Sequence, residues 1–473
     1  MNKEQLLQKI DAFIQENEKN IINDIAELIS KRSVNGPAEE GAPFGRGPRN
    51  ALDAALSVAE RLGLSTSDGD GHVGWGELAA GEGHIALIAH LDVVPEGEGW
   101  DTDPYIMAEK DGWLIGRGVS DNKGAVVISL YAASFFARAG EPLNYGIRVL
   151  LGCDEESCMR DVPHYLSRNP EPLFCFTPDA DFPVCNGEKG VYASGVFVSA
   201  PVFSNISSFT GGLATNVIPA DASCVIRGGA KEFKETEGIR VTPRDDGSYL
   251  IEAHGIGGHA SIPEGCVNGI GILTNFLLDN GIGSSDERVF LELLRKLHSD
   301  VYGTDLGIAC SDEILGRLTC IGGMISQEDG VVRQDINIRY PGCVTGEELT
   351  RSLSEIAFSC NSRFEEGESM KPFYIPADSP PIQVLLSSYN EISGLEAKTY
   401  TMGGGTYARR FRNAVGFGPG DNKPRPPHLR GDHSPNESVS VSSLKEALKI
   451  YILSLWRLEQ LSLEDFTPPP SLG

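Results

Sequence analysis

His90 and Asp92 close the apolar run IALIAHLDVVP, residues 85–95, at a place where a surface turn needs only glycine and serine. Other apolar runs end in the same kind of residue. Asp121 lies in GRGVSDNKG, a glycine-rich turn before a helical pattern; Glu155 and Glu156 follow IRVLLGCD; Asp179 follows LFCFTP; His433 sits in GDHSPNE, just ahead of the last helical pattern. In open α/β sheets, polar groups beyond the carboxyl ends of the strands converge on one crevice, however far apart they are in sequence. One crevice would then collect two imidazoles and five carboxylates. Carboxylates crowded in this way repel and take up protons unless cations sit among them.

Two divalent ions satisfy that arithmetic. With His90, Asp121 and Asp179 on one ion and Asp121, Glu156 and His433 on the other, Asp121 bridges. Three ligand carboxylates plus a bridging hydroxide then balance four positive charges, as a buried dinuclear site requires. Imidazole mixed with carboxylate favours zinc, with manganese or cobalt tolerated. Asp92, two residues beyond a ligating histidine, is expected to accept the other ring N–H and fix the tautomer. Glu155 is left over, free to take a proton from metal-bound water and pass it to a leaving group. Metal binding lowers the pKa of that water from about 15.7 towards about 7, roughly 12 kcal/mol of deprotonation cost at neutral pH. Hydrolysis is the chemistry this set predicts.

Each residue taken singly reads as structural; the repetition at successive element boundaries carries the argument. His428 shares the loop of His433, but DHSPNE directly before a helix is the better-placed stretch. His72, His84, His164 and His298 read as surface or turn residues, and Cys153, beside DEES, as a packing residue without a local histidine partner. SDGDGHVG lacks the spacing and distal glutamate of a calcium loop and reads as a hairpin turn. MGGGTYARR has no following GK[ST] and so is no phosphate loop, yet its backbone N–H groups, with Gly405 and Thr406, can hold a carboxylate.

The elements that must position these residues alternate in the first part of the chain. Helical patterns near residues 48–62, after DNKG and near Val162 are interleaved with the strand-like runs IALIAH, YGIRVLLG and LFCFT. Such alternation predicts an α/β fold with a mostly parallel sheet flanked by helices. From about Gly187 the texture becomes strand-rich, with ASCVIRGG, YLIEAHGIGGHAS, GRLTCIGGMIS and VVRQDINIRYP around the helical VNGIGILTNFLLDNG, which predicts an inserted α+β domain with an antiparallel sheet. Helical pattern returns at IQVLLSSYNEISG and ALKIYILSLWRLEQL. The expected division is a catalytic domain in two parts, residues 1–186 and 378–473, interrupted by a lid at residues 187–377.

A chain of 473 residues is long enough for more than one core. Its net charge of −26 leaves no broad basic surface for nucleic acid or anionic lipid. The first residues read as a surface helix rather than a secretory signal, and ALKIYILSLWRLEQL is broken by charges and too short to span a bilayer. Ten cysteines without a CxxC pair, several inside apolar runs, suit buried thiols in a reducing compartment, so a cytoplasmic protein is expected.

The stretches HLDVVP, GWDTDPY, GRGVSDNKG, DEES, TPDADFPVCNGEKG, ATNVIPA, NIRYP, GGGTYARR and HSPNE, in this order and spanning nearly the whole chain, resemble the di-zinc aminoacylase, carboxypeptidase and dipeptidase family of ArgE/DapE type (peptidase clan MH), and most closely its PepV-type dipeptidase branch. The resemblance implies the metal roles given above, Glu155 as general base and a catalytic domain with an inserted lid. It further implies that His259, in GGHASIPEG, donates to the oxyanion, and that Asn216, in ATNVIPA, and Arg339, in NIRYP, bind substrate. His254 is the rival donor, but only His259 has the family's context. Two departures are visible: Ala89 where the family usually has glycine, and Asn122 where a second aspartate is common. Members often have a cis peptide after the bridging aspartate, and Asn122 is compatible with one. In the PepV branch the extra lid portion resembles a substitute for a partner subunit, which implies a monomer.

The function expected is cleavage of dipeptides or very short unblocked peptides. An N-acyl amino-acid deacylase or desuccinylase would share every metal residue. A binding protein without activity would have no use for Glu155, and a metallophosphatase lacks its phosphate cradle.

Overall fold

The structure is a computed structural model that describes residues 2–140, 142–200, 202–227, 233, 236–420 and 424–468. Contacts divide the chain into two compact units. One comprises the chain up to Asn186, Ile375–Tyr400 and the chain from Thr406; the other comprises Gly187–Tyr374 and Thr401–Gly405.

The first unit opens with helix α1, Lys3–Ile29, capped by Asn2, whose side chain accepts from the Gln5 N–H. Leu6, Ile10, Phe13 or Ile14, Ile21, Ile25 and Leu28 follow one another at three, four, seven or eight residues and form its buried face. Helix α2 spans Arg46–Arg61. The strands β1, Ser65–Ser67, and β2, Gly74–Gly81, form an antiparallel pair around SDGDGHVG, so that segment is the hairpin turn its glycines predict. Strand β3, His84–His90, is buried at every position. Helix α3, Lys123–Ala139, is buried at every residue from Lys123 to Phe136, as an all-round apolar helix must be, and packs on α1 and on the helix Val441–Leu458. Strands β4, Tyr145–Gly152, and β5, Phe174–Thr177, complete the centre. The sheet runs β1-β2-β4-β3-β5 and continues to Ala414–Gly416. β3 is parallel to both β4 and β5, and β5 is parallel to Ala414–Gly416.

The α/β class is as expected, but the sheet is mixed, with β2 antiparallel to both β1 and β4. The parallel strands are the central β4, β3, β5 and Ala414–Gly416, whose uninterrupted apolar runs follow from burial on both faces. The register matters for the site. His90 pairs with Gly152, so β3 and β4 end level and the residues that follow each strand start from the same edge. Gly152 must lack a side chain, because a Cβ there would stand 2.2 Å from the Tyr407 hydroxyl and 2.5 Å from its ring carbons.

The second unit is an antiparallel sheet in the order Ile239–Pro243, Tyr249–His254, Asp221–Ile226, Ile206–Gly211, Ile325–Glu328, Val331–Tyr340, Gly190–Ser199 and Ser362–Glu365. Helices Gly269–Asp279, Ser285–Leu297 and Gly346–Ser359 supply Phe276, Leu294 and Leu353 to the same core as Phe209, Ile336 and Ile338. It is the α+β unit that the change of texture after Gly187 predicts. No helix among the described residues is long and apolar enough to cross a membrane.

Candidate metal centre

The ends of β3, β4 and β5, the turn before α3 and the loop before Val441–Leu458 all belong to the first unit, and they bring six of the predicted residues together. Donor atoms of His90, Asp121 and Glu156 lie within 4.8 Å of one another, and so do those of His90, Glu155 and Asp179. His433 joins the first group, its Nε2 2.9 Å from Asp121 Oδ2 and 3.1 Å from Glu156 Oε1. Asp121 stands between the histidines, with His90 Nε2 2.8 Å from Oδ1. His428 is exposed and joins neither group.

Asp92 stands at the place expected but spends its carboxylate differently. His90 Nδ1 lies 2.9 Å from the Asp92 carbonyl oxygen and 3.6 Å from the carboxylate. The carboxylate instead accepts the backbone N–H of Glu155 (3.2 Å) and of Glu156 (3.1 Å). A buried carboxylate thus fixes the turn that carries both glutamates, while the main chain orients the imidazole. Asn122, after a cis Asp121–Asn122 peptide bond, donates to Pro178 O (2.7 Å) and to Asp179 Oδ1 (3.1 Å). An ionised aspartate could donate to neither, so this departure from the family pattern has its own local chemistry.

The electrostatics call for positive charge. Burial, followed by the charges of Asp179 and Glu156, pushes the Glu155 carboxyl well above its ordinary range. Burial and Asp121 push Glu156 up to about 7, and burial raises Asp179. Both histidines are driven the other way. Asp121 and Glu156 raise His433 to about 11, and at His90 the neighbouring aspartates outweigh the effect of burial. Glu155 Oε1 is buried without a hydrogen-bond partner. Crowded carboxylates, imidazoles drawn into proton sharing and an unpartnered carboxylate oxygen are what a donor set for divalent cations presents, and these residues fit one.

Several residues around the site escape a reading by sequence. Asp161 Oδ2 accepts the N–H of Cys153 (2.8 Å) and Asp154 (3.2 Å) and bonds the Tyr407 hydroxyl. Glu437 and Arg117, both buried, form an ion pair behind Asp121. A signal existed, since both lie inside motifs already singled out, HSPNE and GRGVSDNKG, yet charged residues are assigned to the surface by default. His84 was likewise expected at the surface and is buried. Burial also raises the Cys153 thiol well above its ordinary value, which suits packing rather than attack.

The remaining predicted residues lie in the second unit, apart from Thr406. Asn216 directly precedes the ribbon in which Val217 pairs with His259, with Asn216 Nδ2 3.5 Å from His259 Nε2. His259 Nδ1 accepts the Ser261 N–H (3.2 Å) and lies 2.6 Å from Ser261 Oγ. An Nδ1 that accepts favours the tautomer with the ring proton on Nε2, in which Nε2 does not also accept from the Asn216 amide. His254, the rival, is paired with Asp221 at 2.7 Å. Arg339, next to last in the strand Val331–Tyr340, donates to Asn337 Oδ1 (3.0 Å) and to Gly403 O (3.2 Å), two residues before Gly405. Thr406, in the first unit, caps the turn Tyr407–Arg410 by accepting the Ala408 N–H.

A mixed sheet with imidazoles and carboxylates beyond the carboxyl ends of its parallel central strands, interrupted in sequence by an antiparallel unit, fits the class of α/β metallohydrolases. The profile of Peptidase family M20/M25/M40 matches residues 86–457, and the chain belongs to that family of metal-dependent peptidases. It is 31% identical over 466 residues to the Beta-Ala-Xaa dipeptidase of Lactobacillus delbrueckii subsp. lactis, covering 93% of this chain and 96% of that one. Among solved structures, human carnosine dipeptidase 1 matches with a TM-score of 0.59 at 17% identity, over 96% of this chain and 99% of its own. The di-peptidase Dug1p of Saccharomyces cerevisiae matches with a TM-score of 0.61 at 12% identity, over the same shares. At these identities the two structures speak for the fold alone.

Proposed function

We propose that this protein is a dinuclear zinc dipeptidase that hydrolyses dipeptides or very short unblocked peptides. The observation that carries the reading is the cluster of His90, Asp121, Glu155, Glu156, Asp179 and His433 beyond the carboxyl ends of the central parallel strands in a member of a peptidase family. His90, Asp121 and Asp179 would hold one ion, and Asp121, Glu156 and His433 the other. Divalent cations bound there supply Lewis acidity, which polarises a peptide carbonyl and acidifies water.

The chain's own residues do the rest. Glu155, whose Oε1 has no hydrogen-bond partner, receives the proton of the attacking water and hands it to the leaving amine. Asp92 holds the Glu155 and Glu156 amides and so sets where both carboxylates start. His259, with its proton on Nε2, donates to the oxygen on which negative charge develops. Asn216 assists at that oxygen. The Arg339 fork and the backbone N–H groups around Gly405 and Thr406 suit the terminal carboxylate of the substrate. Residues 187–377 act as the lid, with residues 1–186 and 378–473 as the catalytic domain. Similarity to a Beta-Ala-Xaa dipeptidase supports a short, amine-bearing substrate.

The protein is a monomer in this reading, its lid taking the place of a partner subunit. It is cytoplasmic, in keeping with ten cysteines all present as free thiols, and at −26 it takes neither nucleic acid nor membrane as a partner. The deciding experiment strips the protein of metal, restores zinc, manganese or cobalt, and compares a dipeptide panel with the N-acetyl forms. Zinc-restored turnover of free dipeptides is expected. Preference for the acetylated forms would make the protein a deacylase, and metal-independent turnover would end the reading.

A further inference from the structure

Glu437 belongs to neither donor group, yet it is buried and all its acceptor positions are used. Oε2 accepts the Gly118 N–H (3.1 Å) and Arg117 Nη1 (2.5 Å); Oε1 accepts the N–H of Ser120 (3.0 Å) and of Asp121 (3.1 Å). Arg117 is itself buried, donates to Pro95 O (3.4 Å) and Glu96 O (3.3 Å), and lies over the Trp100 ring. The main chain repeats the tie. Gly116 N–H donates to Glu437 O (3.1 Å), and Ser438 pairs with Ile115 in an antiparallel ribbon. That register sets the Glu437 side chain against the turn that ends in Asp121. Gly118, at φ +85°, supplies the left-handed residue that lets the turn point the N–H groups of Gly118, Ser120 and Asp121 inward.

The other end of this tie is the His433 loop. His433 (φ 61°) and Asn436 (φ 59°) both hold left-handed backbone, which L side chains rarely adopt. Arg430 N–H donates to Asn436 O (3.1 Å), and the Asn436 side chain exchanges two hydrogen bonds of 3.0 Å with Asp101. His433 is more than half exposed, so packing does not hold its imidazole, and the loop must. Glu437 is the residue at which this loop and the Asp121 turn meet.

We propose that Glu437 is a positioning residue, clamping the Asp121 turn to the His433 loop so that Asp121 and His433 meet one divalent cation in a preset geometry. The proposal rests on the metal reading given above for those two residues. Removing an outer partner that orients a ligand typically weakens metal binding about 10- to 100-fold.

Glu437→Asp keeps the charge but cannot reach all four donors, Glu437→Gln keeps the shape, and Glu437→Gln with Arg117→Met leaves no buried charge unpaired. In the chelator-treated full chain, amide exchange at Gly118, Ser120 and Asp121 should quicken at least about tenfold, with exchange along β4 unchanged. On zinc titration both ions, which share Asp121, should bind more weakly, and the ion that also takes His433 should lose the most, about 10- to 100-fold. Dipeptide turnover should fall with little change in KM and recover as zinc is raised, which a merely structural role would not produce. His433→Ala serves as reference. If it loses one zinc ion and the folded Glu437 variants lose none, the proposal alone falls. If it keeps both ions at wild-type affinity, the donor assignment falls and takes the proposal with it. Failure of all three variants to fold would also overturn it, since Glu437 would then serve folding in general.

Discussion

Glu155 and Glu156 are adjacent carboxylates with different surroundings. Glu156 lies beside Asp121 and His433, while Glu155 has a buried oxygen with no hydrogen-bond partner. Glu155→Gln is therefore expected to keep its metal, counted per chain, while turnover drops by about 10²- to 10⁴-fold, the contribution of a positioned acid or base. A rate within tenfold of wild type would remove Glu155 from that role. His84, at the start of β3, gives a prediction independent of metal. Burial, with Arg148 nearby, lowers its pKa from 6.5 to about 4, so the unfolded chain binds the proton more readily. Its contribution to stability is whole above pH 6.5 and is lost as pH falls towards 4, at most about 3 kcal/mol at 1.36 kcal/mol per unit. Urea denaturation at pH 7 and pH 5 should show a smaller acid loss for His84→Phe than for wild type; equal losses would refute the burial argument.

Among the elements, the level ends of β3 and β4 set the geometry of the site, and Gly152 tests how tightly. In Gly152→Ala the new methyl meets the buried Tyr407 ring, which also bonds Asp161 below the DEES turn. Overpacking of this kind typically costs about 1–3 kcal/mol, so thermal melting should fall and dipeptide turnover with it. An unchanged melting point would mean that the ring moves freely. The strands themselves were plain in the sequence. YGIRVLLG is β4 in full, and IALIAH and LFCFT give β3 and β5 to within one residue, because strands buried on both faces must be written as continuous apolar runs. The helices Ser285–Leu297 and Gly346–Ser359 were less visible behind charge-rich faces, although each has a capping box at its start.

For the whole molecule, metal and fold are linked. With no cation, the clustered carboxylates of the first unit stand partly buried and mutually repelling, so a cation that binds only the folded state stabilises it. At a hundred times its dissociation constant the effect is about 3 kcal/mol. Chelation should therefore lower the first melting transition by at least about 5 °C, and zinc should restore it. A melting curve indifferent to chelator would contradict a metal centre in this cluster. The acidic surface bears on solubility and partners rather than on the fold.

The sequence by itself determined the α/β class, the inserted antiparallel unit and the residues that end the apolar runs, since burial and period are local properties that each segment carries in its own composition. Tertiary structure alone decided which backbone and side-chain donors the carboxylates around the site take. Asp92 holds two amides more than sixty residues away while its main chain orients His90, and Glu437 reaches Arg117 across 320 positions of chain. Spacing along the chain cannot encode such bonds, because they depend on which strand ends lie level and which loops close over them. A buried charge is stable only once its partner has been brought to it, and that happens only in the folded state.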